Sequence, residues 1–192
     1  LNAPGPNYTG GARGFAAVPG GEKRFDYDMR RAVRYAQALG AGVIHVLSGV
    51  AEGPAARGTL ISNLRRACAD VPEGMRLPLE PLCPAAQPGW YLNEFGQAAD
   101  IIAEVGSDRL GLQFDSVHAQ MITGDATAAF EAHAPLIHHI QIGDAPDRTA
   151  PGTGSVDFPA LFAAIDARDY AGWVSAEYNA GDRTERSLGW MR

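Results

Sequence analysis

The segment HHIQIGD, residues 138–144, sets polar residues inside an apolar run. Its residues alternate in the manner of a β-strand. Gln141 lies inside the apolar run, and a buried amide without hydrogen-bond partners costs free energy. Its side chain is therefore either satisfied by structural partners or faces a site that needs a neutral oxygen donor.

The composition is that of an ordinary globular protein. The chain has 192 residues, of which 46% are hydrophobic and 20% charged, enough for one sizeable core. The net charge of −6, without a long basic run, argues against a nucleic-acid-binding surface. Nothing resembles a membrane span or a signal peptide. Cys68 and Cys83 form no metal or redox motif and are predicted to be reduced thiols, which suits a cytoplasmic protein.

Helical patterns alternate with short apolar runs along the chain. Gly40 is predicted to end the first helix and Asn93 to cap the third. The predicted strands are 43–47, 76–80, 109–115, 136–143 and 172–178, and the predicted helices cover about 29–39, 60–68, 95–105, 125–133 and 158–165. Strands separated by single helices imply a parallel α/β sheet with right-handed crossovers. The GTG at 152–154 is weak evidence for a phosphate site.

Four polar side chains lie at or near the ends of four predicted strands. They are Glu80, Asp115, Gln141 and Glu177. In a β/α barrel such strand ends converge on one site, and four oxygen donors suit Mg²⁺ or Mn²⁺. Taken one at a time, each residue could have a purely structural role as a helix cap, a solvated loop residue or a hydrogen-bonded side chain. Their repetition favours a metal site with Gln141 as the neutral ligand. His45 and His138 are predicted to be core or wall residues instead.

Four longer runs of the sequence resemble the hydroxypyruvate isomerase family. They are LEPLCP, LQFDSVHAQ, HIQIGDAPDRTAPGTGSVDFPALF and GWVSAEYNAG…RSLGWMR, and the similarity runs from the NAPGP opening to the LGWMR end. That family belongs to the xylose isomerase-like superfamily, so the resemblance implies a (β/α)8 TIM barrel. Enzymes that isomerise 2-oxo-tetronate sugar acids look nearly the same at the level of these motifs.

The resemblance also implies roles for individual residues. The family's metal ligands carry over onto Glu80, Asp115, Gln141 and Glu177, and its proton-transfer pair onto Glu80 and Glu177. His118 and Arg148 are more loosely implied as substrate contacts. The alternatives are that His118 orients a metal ligand and that Arg148 is a solvated loop residue.

The sequence departs from the family in two places. A full barrel takes about 250 residues, and this chain begins at what matches the loop after the family's third strand. We therefore expect residues 1–192 to form a single barrel domain that lacks the N-terminal strands and helices. Pro78 lies inside the predicted strand 76–80 and removes one ladder hydrogen bond, which predicts a local irregularity next to Glu80.

The leading hypothesis is a metal-dependent isomerase of glyoxylate metabolism. It interconverts hydroxypyruvate and tartronate semialdehyde through an enediolate, with two glutamates as acid and base. A 2-oxo-tetronate or other sugar-acid or ketose isomerase or epimerase is the alternative, and a non-catalytic sugar-acid-binding barrel is the second. A DNA-repair endonuclease would need a histidine-rich multi-zinc site and a basic groove, and the net charge of −6 argues against that class. Trp90 and Tyr91 either cover the site or pack on another subunit, which leaves a homo-oligomer open.

Overall fold

The structure is a computed structural model that describes residues 1–3 and 11–191. Residues 4–10, which include part of the NAPGP opening, lie outside the described residues. The chain divides into two compact units, Leu1–Leu112 and Gln113–Arg192. The single-domain expectation for residues 1–192 stays a prediction. No helix in the described part of the chain combines the length and the apolar character needed to cross a membrane.

Among its described residues, the first unit contains three helices, one strand and the first half of a second strand. They are α1 (Glu22–Leu39), α2 (Gly53–Asp70), β1 (Leu77–Leu79), α3 (Phe95–Val105) and the first half of β2 (Leu110–Asp115). Gly40 ends α1 as predicted, in a left-handed conformation with φ 67° that glycine adopts without strain. The prediction that Asn93 caps α3 is wrong. The residue before α3 is Glu94, and the Asn93 amide instead donates to the carbonyl of Trp90 at 3.0 Å.

The strands of the first unit are shorter than predicted. β1 pairs in parallel with Leu110–Leu112 of β2. Pro78 stays in register inside β1 because its carbonyl, which proline retains, accepts the N–H of Val46 at 3.0 Å. The predicted strand 43–47 forms only isolated bridges: Val43 pairs with Arg76, Val46 with Leu79 of β1, and His45 with Asn2.

The second unit completes β2 and adds three helices and two strands. They are α4 (Ser116–Thr123), α5 (Ala126–His133), β3 (Ile137–Ile142), α6 (Phe158–Asp166) and β4 (Val174–Ala176), with 3-10 turns at 134–136 and 184–191. β3 pairs in parallel with β4, so the predicted parallel arrangement is confirmed. Helix α4 was not predicted. Asp125 and Asp157 cap α5 and α6 through single N–H bonds.

Side chains of β2 and β3 form the core of the second unit. Phe114 packs edge to face on Phe130 with ring centroids 5.6 Å apart. Ile140 and Ile142 are fully buried, whereas Gln141 between them is only half-buried. The alternation expected of 138–144 is therefore present, and it turns Gln141 away from the face that packs into the core.

Candidate active site

Each predicted metal ligand lies at the carboxyl end of a strand. Asp115 is the last residue of β2, Gln141 the second-last of β3, and Glu177 directly follows β4 in the second unit. Glu80 directly follows β1 in the first unit. The sequence therefore predicted where these residues stand along their strands. Their roles as ligands and catalysts remain predictions.

Asp115 links the end of β2 to helix α4 and to Arg148. Its side chain is fully buried. Oδ1 accepts the backbone N–H groups of Val117 at 2.9 Å and His118 at 3.0 Å, which satisfies donors at the start of α4. Oδ2 lies 2.8 Å from Nη1 of Arg148. The two oxygens thus have separate tasks, one structural and one facing the guanidinium.

Arg148 stands at the centre of the polar contacts in the second unit. Besides Asp115, its Nη1 donates to the carbonyl of Glu177 at 3.1 Å and lies 3.5 Å from Oε2 of the same residue. Its Nη2 lies 3.0 Å from Nε2 of His118. The backbone is left-handed, with φ 53°, a conformation that costs a non-glycine residue free energy and is typical of functional sites. Arg148 is therefore not a solvated loop residue.

His118 is buried and faces the guanidinium of Arg148. A guanidinium only donates, so Nε2 of His118 is the acceptor and the imidazole is neutral. Burial lowers the pKa of His118 and Arg148 lowers it further, while Asp115 acts in the opposite direction. A neutral ring keeps its other nitrogen as a donor, which suits contact with a substrate oxygen.

Of the two acidic side chains at strand ends of the second unit, Glu177 is more accessible than Asp115, with 48% of its side chain exposed. Burial of its carboxyl raises its pKa, Arg148 lowers it, and Asp115 raises it again. A carboxylate with a raised pKa is a stronger base than an ordinary glutamate and can exchange protons with a bound substrate.

Gln141 has a structural partner that the sequence reading missed. Nε2 of Gln113 donates to its Oε1 at 2.6 Å. The sequence signal that could have identified Gln113 is the period of two along β2, which puts its side chain on the same face as that of Asp115. The bond accounts for one of the two lone pairs of the Gln141 oxygen, so the structural partner and the predicted ligand role are compatible.

Glu80 is buried at the end of β1. Its Oε2 lies 3.4 Å from Nε2 of His45. Nδ1 of His45 in turn lies 3.1 Å from Oδ1 of Asn2. His45 is buried, as predicted, and it orients the carboxyl group of Glu80 from within the first unit. Trp90 and Tyr91 are also buried in this unit.

The glycine-rich segment 152–154 is organised by a carboxylate of the chain itself. Its N–H groups donate to Asp144, a residue that the sequence reading did not single out. Because these donors already have an acceptor, the segment is not the phosphate cradle that its sequence weakly suggested.

The donor chemistry in the second unit fits the divalent cation that the resemblance implies. Asp115, Gln141 and Glu177 offer carboxylate and amide oxygens, which Mg²⁺ and Mn²⁺ prefer. The raised pKa of Glu177 means that burial and Asp115 together outweigh the positive charge of Arg148. A cation at these oxygens would favour the ionised carboxyl group.

This fold and strand-end chemistry define a member of a known enzyme superfamily. The chain belongs to the xylose isomerase-like TIM barrel family, whose model matches residues 5–192. The fold class inferred from the resemblance is therefore confirmed.

Individual relatives are isomerases or share the fold. Hydroxypyruvate isomerase of Escherichia coli K12 is 38% identical over 197 residues, which cover 99% of this chain and 76% of that protein. The 2-oxo-tetronate isomerase of Cupriavidus necator is 35% identical, with coverages of 100% and 76%. A crystal structure described as an AP endonuclease, family 2, from Brucella melitensis is 34% identical, with a TM-score of 0.94 and coverages of 99% and 75%.

Proposed function

We propose that this protein is an isomerase that interconverts hydroxypyruvate and tartronate semialdehyde. The observation that carries the proposal is the guanidinium of Arg148, held 2.8 Å from Asp115 and 3.5 Å from the carboxylate of Glu177. This arrangement places Arg148, which can bind the substrate carboxylate, next to Glu177, which can act as the base. The similarity to E. coli hydroxypyruvate isomerase supports the same reaction.

Arg148 is proposed to bind the substrate carboxylate. Guanidinium groups pair with carboxylates through two parallel hydrogen bonds. With 26% of its side chain exposed, Arg148 is accessible from solvent while its other contacts hold it in place. His118, next to it, is proposed to hydrogen-bond a substrate oxygen.

Two glutamates are proposed to move the carbon-bound proton. One removes a proton from carbon 3 of hydroxypyruvate, and the other returns a proton to carbon 2, while the hydroxyl proton passes from the oxygen on carbon 3 to that on carbon 2. Glu177, with 48% of its side chain exposed, is accessible to a substrate bound at Arg148. Glu80 is the second glutamate, on the strength of the resemblance and its position directly after β1. Each such acid–base group contributes roughly 10²–10⁴-fold.

The proposed metal ligands are Asp115, Gln141 and Glu177, with Glu80 added by the resemblance. When bound, Mg²⁺ or Mn²⁺ would supply Lewis-acid stabilisation of the negative charge that develops on the substrate oxygens. The chain's own residues would orient the substrate carboxylate and carry the protons.

A 2-oxo-tetronate isomerase is the second candidate. The Cupriavidus necator relative, 35% identical over the whole of this chain, favours it, and it would use the same polar residues. The Brucella structure is described as an AP endonuclease, but a net charge of −6 works against binding a polyanion.

The deciding experiment follows both acids by NMR in D₂O. We expect the carbon-3 protons of hydroxypyruvate to exchange and tartronate semialdehyde to appear. Reaction of 2-oxo-tetronate alone would move the assignment to the second candidate. Binding of either acid without reaction would make the protein a non-catalytic sugar-acid-binding barrel.

A further inference from the structure

The loop that follows β3 is built around one buried carboxylate. Asp144 is fully buried. Its Oδ2 accepts the backbone N–H groups of Gly152 at 2.8 Å, Thr153 at 2.9 Å and Gly154 at 2.8 Å, and its Oδ1 accepts that of Val156 at 3.0 Å. Hydrogen bonds to an ionised acceptor are about twice as strong as neutral ones. Four of them tie residues 152–156 back onto the end of the strand.

The same residue closes the turn that carries Arg148. The backbone N–H of Asp144 donates to the carbonyl of Thr149 at 2.8 Å, and the N–H of Thr149 donates back at 3.1 Å. Arg148 directly precedes this closure, and its own carbonyl accepts the N–H of Asn179 at 2.8 Å. The direction of its side chain follows from a left-handed backbone that these bonds hold.

The loop has no spare volume next to this carboxylate. A Cβ atom at Gly154 would clash first with the carbonyl oxygen of Ala145, and it would lie 2.6 Å from Oδ1 and 2.9 Å from the carboxyl carbon of Asp144. These distances are closer than non-bonded contact allows. Glycine at 154 is therefore needed for the loop to approach Asp144, and Gly154→Ala should displace the same group of bonds.

We propose that Asp144 is a positioning residue for the isomerisation, because its backbone closes the turn that carries Arg148 and its carboxylate anchors residues 152–156 at the same point of the loop. This inference rests on the proposed function of Arg148. Asp144 itself acts through the backbone and touches no substrate. A misplacement of about 1 Å in such a group can cost about 100-fold in rate.

Asp157 offers a matched control on the same loop. It is exposed and accepts one N–H, that of Ala160, at 3.0 Å as the cap of α6. Asp157→Asn makes the same chemical change as Asp144→Asn, but at a carboxylate that does not bond to the loop carrying Arg148. Any general cost of losing a loop carboxylate appears in both variants.

The kinetic test is a double-mutant cycle between Asp144→Asn and Arg148→Lys. We expect Asp144→Asn to raise KM for hydroxypyruvate about tenfold or more, with a smaller fall in kcat, and Asp157→Asn to change neither. In the Arg148→Lys background, Asp144→Asn should add little. Equal effects of Asp144→Asn in both backgrounds would overturn the proposal.

A spectroscopic readout decides the matter without turnover. The Nε–H signal of Arg148 in a ¹⁵N spectrum, assigned by its loss in Arg148→Lys, should shift or broaden in Asp144→Asn and stay in place in Asp157→Asn. An unchanged signal in a folded Asp144→Asn protein would refute the positioning role. If Asp144→Asn fails to fold, Gly154→Ala disturbs the packing of the loop on both Asp144 and Ala145, and an unchanged Arg148 signal in that variant would likewise refute the positioning role. Wild-type protein that isomerises neither acid would refute the proposed function, while this signal would still test Asp144.

Discussion

Arg148 and Asp115 form an ion pair in which one partner is fully buried and the other is 26% exposed, with Nη1 2.8 Å from Oδ2. The remaining oxygen of Asp115 already serves the start of α4. Asp115 therefore couples the stability of a helix to the orientation of a proposed substrate-binding group. Removing one partner of such a pair leaves a buried charge uncompensated, which costs about 3–5 kcal/mol.

Arg148→Ala should both destabilise the second unit and weaken substrate binding. In metal-free protein we expect a loss of about 3 kcal/mol in the free energy of unfolding, because Asp115 keeps its charge without its partner. KM for hydroxypyruvate should rise about 10- to 100-fold with the lost charged hydrogen bonds. Urea titration and initial rates measure the two effects. Arg186, an exposed arginine paired with Asp182, provides the control variant Arg186→Ala, and comparable effects there would contradict the prediction.

Glu177→Gln and Glu80→Gln should each nearly abolish turnover. An amide cannot exchange a proton with the substrate, so each change should cost roughly 10²–10⁴-fold in kcat. The measurement is the rate of carbon-3 proton exchange by NMR in D₂O. Glu131→Gln, at an exposed position on α5, is the control and should leave the rate unchanged. Normal activity in either site variant would remove that residue from the mechanism.

Treatment with EDTA should abolish activity without unfolding the protein. The expected ligands are oxygen donors, so Mg²⁺ or Mn²⁺ should restore turnover. Circular dichroism before and after chelation separates loss of metal from loss of fold. Full activity after exhaustive chelation, verified by metal analysis, would contradict the metal assignment.

Tyr170 should make the protein sensitive to alkaline pH. Burial raises the pKa of Tyr170 to about 12, above the value of about 10 in an unfolded chain. Between these values the unfolded state binds fewer protons than the native state, so stability falls as pH rises from about 10 to about 12. Tyr170→Phe should reduce this fall, as measured by urea unfolding across that range.

The neutral-pH behaviour of the same variant is a separate check. The Tyr170 hydroxyl has no hydrogen-bond partner among the described residues, so Tyr170→Phe should cost little there. Tyr178 is the matched control, because its hydroxyl donates to Ser187 and accepts from Trp190, both at 3.1 Å. Tyr178→Phe should cost about 1 kcal/mol. An equal cost in both variants would argue against the assigned environments.

Elements with strong local signals were predicted well. The positions of β2 and β3 and the end of α1 at Gly40 were predictable because strand period and helix termination depend on neighbouring residues. Helix α4 was missed because Asp115 was assigned only to the strand end, although the same side chain caps the helix that follows. Segment 43–47 has a strand-like sequence, but whether an extended segment forms a ladder depends on its neighbours in space.

The strand-end positions of the polar residues were predictable, but their partners were not. Gln141 pairs with Gln113, 28 residues earlier, and no local pattern identifies that contact. Asp144 was overlooked because a single aspartate after a strand is common in loops. What distinguishes it is the set of four backbone donors, which arises only when residues 152–156 fold back onto the strand.

The loop built on Asp144 also bears on how this enzyme can diversify. Its shape depends on one carboxylate and on the absence of a side chain at Gly154. Few single substitutions in this loop should therefore preserve its conformation. New substrate preferences should therefore evolve through segments with freer side chains.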